Sequence, residues 1–208
     1  MRFLLAFVLW MSSTVSAFAA PTVLVLGDSL SAAFNMPIEQ GWVALLEHKL
    51  AKGHADWKVV NASISGETTA GGLTRLPTAL QTHQPRLVLI ELGANDGLRG
   101  LQIPAMRANL ARMIELAKAT GARVGLIGTE LPGNYGAAFR TRFQVVFAEL
   151  AKQHDVDLLP SLLTPLGVDL VNYQDDQLHP SRAAQPLILE HVWEWLEPQL
   201  SEVAVTAN

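Results

Sequence analysis

Thr22-Val23-Leu24-Val25-Leu26-Gly27-Asp28-Ser29-Leu30-Ser31 is the stretch whose reading decides the fold. Val23 to Leu26 is an unbroken apolar run, which reads as a short strand buried on both faces. Gly27-Asp28 ends it, and a helical pattern follows soon after. In an open α/β fold, a serine where a buried strand stops lies at the carboxyl edge of the sheet, where such folds keep their chemistry. A lone Gly-Asp-Ser is more often a turn or a helix cap than a nucleophile. The rest of the chain has to decide between these readings.

Outward from that stretch, strand and helix patterns alternate. Gly41 to Leu50 has helical spacing, with Gly53 as a stop. Trp57 to Asn61 reads as a second strand, followed by the small-residue loop Ala62 to Thr68 and a helix from about Thr69 past Leu80. Leu87 to Leu92 is the strongest strand pattern, and it runs into Gly93-Ala94-Asn95-Asp96-Gly97. Pro104 fits the first turn of a long helix that Gly121 stops. Arg123 to Gly128 is a fourth strand, Phe139 to Gln153 a helix and Val156 to Leu159 a fifth strand. An irregular stretch from Pro160 to His179 precedes a last helix over Ser181 to Leu200, with a frayed tail from Ser201. Five apolar strands alternating with helices predict one three-layer α/β/α domain around a five-stranded parallel sheet. The crossovers should be right-handed.

Composition narrows the function classes. The 208 residues carry a net charge of −4 with no basic run, which argues against a nucleic-acid partner. There is no cysteine, so thiol nucleophiles and thiolate metal sites are excluded. Residues 1–20 have Arg2, an apolar core from Phe3 to Met11 and the small residues Ala17-Phe18-Ala19 before Ala20-Pro21. This is the grammar of a secretory signal peptide, and its apolar run of about ten residues is short for a bilayer span. The expected division is therefore 1–20 signal peptide and 21–208 mature domain, exported to the periplasm or the medium. Cleavage near Ala19-Ala20 removes one Arg and no acid, leaving a charge of −5. No later stretch is apolar enough to be an integral membrane segment.

The loops after parallel strands gather on one rim, and here they bring Ser29, Gly66 and Asn95. Asp176 and His179 stand before the last helix and can pair only if Asp176-Gln177-Leu178-His179-Pro180 turns back on itself. Acyl transfer by serine needs this set. An imidazole takes the hydroxyl proton, a carboxylate orients the imidazole, and donors hold the oxyanion. Ser29 N–H, Gly66 N–H and the Asn95 amide are three candidate donors.

Gly27-Asp28-Ser29-Leu30, Asn61 to Thr68 with Gly66, Gly93-Ala94-Asn95-Asp96 and Asp176-Gln177-Leu178-His179-Pro180 resemble, in order, the four blocks of the GDSL, or SGNH, hydrolases. Within that family Asn95 to Gly100 and Leu131 to Gly136 are similar to exported multifunctional esterases with thioesterase, lysophospholipase and arylesterase activity. The resemblance implies a flavodoxin-like sheet order 2-1-3-4-5. It implies Ser29 as nucleophile, His179 as base and Asp176 as its orienter, with Ser29, Gly66 and Asn95 as the oxyanion hole and no metal or cofactor. The expected substrate is a small acyl ester or thioester, cleaved through an acyl-enzyme. Leu98, Leu101, Leu131, Tyr135 and Leu178, with Ile103 and Pro132, lie on the loops expected to wall an apolar acyl groove.

Several neighbours carry a blander expectation. Asp96 and Asp28 read as loop stabilisers, Asp175 competes with Asp176 as the orienter, and Arg99 is a solvated loop arginine or an anion contact. His48, His54, His83, His154 and His191 lack a metal-ligand spacing. Gly97 to Gln102 is expected to be a mobile loop, since it holds two glycines and an arginine. Two rival functions remain open: a glycan O-deacetylase with the same triad, which would want a polar groove, and a flavodoxin-like ligand-binding module, which would need no His179.

Overall fold

The computed structural model describes residues 20–205. The signal-peptide expectation falls on residues outside that range, apart from Ala20. Five strands form one parallel sheet: β1 (Thr22–Gly27), β2 (Lys58–Asn61), β3 (Leu87–Glu91), β4 (Arg123–Ile127) and β5 (Asp157–Leu159). They lie in the order β2-β1-β3-β4-β5, and every neighbouring pair is parallel. The helices are α1 (Trp42–Gly53), α2 (Thr69–His83), the short α3 (Ala94–Leu98), α4 (Ile103–Ala119), α5 (Ala137–His154) and α6 (Gln185–Val205).

Strand side chains point alternately to opposite faces, so each apolar run feeds two cores. Val23 and Val25 of β1, with Leu87 and Leu89 of β3, pack under α1 and α6. Leu24 and Leu26, with Val88 and Ile90, pack under α2, α4 and α5. This is why the central strands β1 and β3 have no polar alternation: both of their faces are buried, whereas the edge strand β2 exposes Lys58 and Asn61. In β4 the face toward α6 carries Gly125, and the Trp195 ring of α6 fills the space. A Cβ at Gly125 would stand 2.5 Å from Trp195 and 2.9 Å from Leu89.

The elements differ from the sequence expectation mainly near the site. The last helix begins with a 3-10 turn at Arg182–Ala184 before α6, and its backbone stays helical to Val205 rather than fraying at Ser201. Gly93 to Gly97 is not an open loop. Gly93 takes φ +125°, and the next residues wind into α3. The segment expected to be a loop, Gly97 to Gln102, thus begins inside a helix and closes with Leu101 N–H donating to the Asp96 carbonyl at 2.8 Å. Gly97 is buried where a Cβ would meet Leu131 at 2.6 Å and Phe143 at 2.9 Å.

The packing of Trp195 gives a direct test. Gly125→Ala should lose about 1–3 kcal/mol of unfolding free energy by overpacking, although a strand ordinarily favours alanine over glycine. Urea denaturation monitored by tryptophan fluorescence checks this.

Candidate active site

Each residue of the Gly27-Asp28-Ser29 turn has a separate physical task. In the parallel register Gly27 lies beside Glu91, the last residue of β3. Glu91 is completely buried, and its Oε2 accepts from Ser31 Oγ at 2.8 Å and from Asp28 N–H at 3.3 Å. A Cβ at position 27 would come within 2.8 Å of that oxygen, so only glycine leaves room for the carboxyl. Asp28, also fully buried, accepts from Leu30 N–H at 3.0 Å and from Asn95 Nδ2 at 3.2 Å. With the turn held from both sides, Ser29 is left half-buried at the rim.

The two buried carboxyls share one low-dielectric space, and this raises both pKa values. Burial pushes Asp28 up to about 6, against the Leu30 N–H, the Asn95 amide and the charge of His179, while the charge of Asp96 adds to the rise. Burial and the charge of Asp28 push Glu91 well above the usual carboxylate range, and the Ser31 hydroxyl and Asp28 N–H only partly offset them. Both carboxyls are therefore held above the usual carboxylate range by the burial they share. An acid at the end of the run Leu87-Val88-Leu89-Ile90-Glu91-Leu92 is the sequence signal for Glu91, which lies outside the four family blocks.

The loop after β2 reaches the same rim. Ala62 and Ile64 N–H groups donate to the Val25 and Gly27 carbonyls, extending the β2 ladder along β1 beyond the sheet. Asn61 Nδ2 donates to the Ser31 carbonyl at 2.8 Å. Gly66 then turns at φ +78°, and Thr68 caps α2 through Gly71 N–H. Arg99 donates to the Gly66 carbonyl at 2.8 Å, so it ties the α3 turn to this loop instead of being only a solvated cation. Among the described residues, neither Ser29 N–H nor Gly66 N–H donates to a protein acceptor. Asp96 acts as a brace: it accepts from Thr69 N–H at 2.8 Å and Thr69 Oγ1 at 2.6 Å.

The stretch before α6 does fold back on itself. Tyr173 and Pro180 form an antiparallel bridge, Gln174 N–H donates to the His179 carbonyl at 2.8 Å, and Gln177 takes φ +56° at the bend. Inside the bend Asp176 Oδ1 accepts from Leu178 and His179 N–H at 3.0 and 2.9 Å. Its Oδ2 lies 2.6 Å from His179 Nδ1. Burial raises the Asp176 pKa, but these contacts with His179 and Leu178 outweigh it and hold the carboxyl below its usual range. The other imidazole nitrogen, Nε2, is 2.9 Å from Ser29 Oγ. Asp175, the competing orienter, lines an open cleft with Asn35, Asp176 and Arg182, and it is Asp176 that meets the imidazole.

A pocket of about 60 Å³ opens beside Ser29 and His179, walled by Leu30, Ala94, Asn95, Leu98, Thr129, Glu130, Leu131, Leu163 and Leu178. Leu98, Leu131 and Leu178 of the expected groove are on this wall, whereas Leu101 and Tyr135 are not. The α3 turn carries Leu101 outward, where it is 43% exposed. The Tyr135 ring stacks on Phe139, and its hydroxyl donates to the Leu98 carbonyl at 2.8 Å, so it supports the wall from behind. Leu30, Thr129, Glu130 and Leu163 were missed because they reach the pocket from three different strand ends. Among the described residues no group of three or more His, Cys, Asp and Glu side chains is placed to hold a metal ion.

The profile of the GDSL-like lipase/acylhydrolase family matches residues 25–186, and this chain belongs to that family. It is 50% identical over 182 residues to the esterase TesA of Pseudomonas aeruginosa, covering 88% of this chain and 90% of the relative. It is 44% identical over 189 residues to an arylesterase of Vibrio mimicus, covering 91% and 94%. To the thioesterase 1/protease 1/lysophospholipase L1 of Escherichia coli K12 it is 43% identical over 197 residues, covering 95% and 93%. A crystal structure of TesA superimposes with a TM-score of 0.83 at 49% identity, covering 85% of this chain and 98% of that one.

Glu91→Gln tests the raised pKa of this buried carboxyl. A carboxyl whose folded-state pKa lies above its unfolded value loses stability as pH rises beyond the unfolded value, and glutamine abolishes that loss. The variant should melt with wild type near pH 4.5 and at a higher temperature than wild type as the pH rises above that. Thermal melts across that range measure the gap.

Proposed function

We propose that this protein is a serine hydrolase of carboxylic esters and thioesters, acting through an acyl-enzyme with Ser29, His179 and Asp176 as its triad. The observation that carries the reading is the 2.9 Å contact between Ser29 Oγ and His179 Nε2, made by residues 150 positions apart, with Asp176 on the other ring nitrogen at 2.6 Å. A hydroxyl alone is a weak nucleophile, and this contact offers its proton an acceptor. Asp176 fixes the tautomer with the proton on Nδ1 and stabilises the imidazolium that forms.

In the first half-reaction Ser29 Oγ attacks the acyl carbon as its proton passes to Nε2. The oxyanion is held by the N–H groups of Ser29 and Gly66 and by the Asn95 Nδ2 hydrogen that Asp28 does not use. An amide nitrogen has two hydrogens, so a single carboxylate contact leaves one for substrate. His179 then protonates the departing alkoxide or thiolate. In the second half-reaction a water attacks the acyl-enzyme while His179 accepts its proton, and His179 returns that proton to Ser29 Oγ as the carboxylic acid leaves.

The acyl group lies against Leu30, Leu98, Leu131, Leu163 and Leu178. These side chains suit an aliphatic or aromatic acyl chain and offer a sugar little to hydrogen-bond, which favours an acyl esterase over a glycan deacetylase. The names of the relatives, an esterase, an arylesterase and a thioesterase/lysophospholipase, support the same substrate class. The leader pattern of residues 1–20 supports an exported enzyme.

Hydrolysis of p-nitrophenyl butyrate and of an acyl-CoA separates the rival readings. Wild type should cleave both, and Ser29→Ala should lose at least about 10³-fold in kcat. Asn95→Ala should lose about 10²–10³-fold in kcat by removing one oxyanion donor. A binding module would show no activity in the wild type, and a deacetylase would prefer acetylated glycan.

A further inference from the structure

The Phe34 ring stacks on the His179 imidazole, with centroids 4.1 Å apart and planes at 27°. The triad does not require this residue, and the Gly-Asp-Ser motif ends before reaching it. We propose that Phe34, fastened by Gln174, is a positioning residue that covers one face of the His179 imidazole and holds it in line between Ser29 and Asp176. The inference rests on the reading of His179 as the general base.

Three observations carry it. First, the backbone is bent on both sides of Phe34 to deliver the ring. Ala33 has φ +56° and Asn35 φ +54°, both left-handed, and Met36 N–H closes the turn on the Ala33 carbonyl at 3.1 Å. Left-handed backbone at alanine is unfavourable and persists only where the surroundings enforce it. Second, Gln174 supplies that enforcement. Its Nε2 donates to the Phe34 and Pro180 carbonyls, each at 3.0 Å, while its own N–H donates to the His179 carbonyl. A single side chain therefore joins the turn that carries Phe34 to the bend that carries His179. Third, the seam between the two segments, where Ala33, Phe34, His179 and Pro180 meet, has no room for a water molecule.

The consequence is kinetic. The imidazole must hold Nε2 on Ser29 Oγ and then present the same proton to the leaving group, and small misalignment of reacting atoms costs rate steeply. The ring face, electron-rich at its centre, also lies against the imidazolium, which exists only after proton transfer. An interaction that strengthens on the way to the transition state changes kcat and leaves substrate binding alone.

The test uses the full chain and p-nitrophenyl butyrate. Phe34→Leu fills the space without a π face and should lower kcat by about tenfold or more, with KM within about twofold of wild type. Phe34→Tyr keeps the face and should restore kcat to within about threefold. Gln174→Met, which leaves the ring but cuts the tether, should fall between the two in kcat and serves if Phe34→Leu does not fold. In proton NMR the low-field Nδ1–H line of His179 should be sharp in wild type and in Phe34→Tyr, and broadened by exchange in Phe34→Leu and Gln174→Met. Variants with wild-type kcat and an equally sharp line would overturn the inference, as would a kcat loss matched by a rise in KM. If wild type hydrolyses no ester, the proposed function fails, and the Nδ1–H line alone decides whether Phe34 and Gln174 hold the ring.

Discussion

A sheet of five parallel strands has no face that can meet water. Every connection must therefore cross over a face, and every strand must end on the same rim. The arrangement of the site follows from that constraint. Ser29 follows β1, the Gly66 loop follows β2, Asn95 follows β3, and Thr129 to Leu131 follow β4. Residues distant in the chain become neighbours because their strands do. Asp176, Leu178 and His179 come from a segment that leaves the sheet, and a bend secured by the Tyr173–Pro180 bridge returns them to the rim.

Under that rim the protein keeps buried carboxyls where an apolar core would be the simpler choice. Glu91 organises the serine turn through Ser31 and Asp28, Asp28 holds Asn95, and Asp96 holds the start of α2 through Thr69. Burying such groups costs free energy unless each finds its partners. Here the partners are the backbone and side chains of the loops that carry the chemistry. The carboxyls fix the Ser29 turn and the Asn95 side chain in place, at some expense in stability. Preorganised donors of this kind contribute much of the rate in oxyanion chemistry.

The pocket and the clamp over His179 show how far residue patterns reach. Leu98, Leu131 and Leu178 flank motif residues, and all three lie on the wall of the pocket beside Ser29. Leu101 and Tyr135 flank the same motifs but face elsewhere, since the α3 turn redirects the one and Phe139 with the Leu98 carbonyl captures the other. Nearness in sequence to a site residue fixes where the backbone is and leaves the direction of the side chain open. Glu91 and Gln174 had weaker signals. An acid at the end of an apolar strand was visible, whereas a glutamine in an irregular segment gave no sign that it would join two loops.

The sequence by itself determined the five strands, their parallel sense, the two-faced core and the family blocks. Each of these is set by local periodicity and by residue types at short spacing, which the chain carries in linear order. The tertiary structure alone decided which carboxyls are buried and titrate above their usual range, which apolar loop residues face the pocket beside Ser29 and which aromatic ring covers the imidazole. Those outcomes depend on distances of about 3–4 Å between segments up to 150 positions apart, and on burial that arises only once both faces of the sheet are closed. No local pattern encodes a separation that the folded backbone has yet to set.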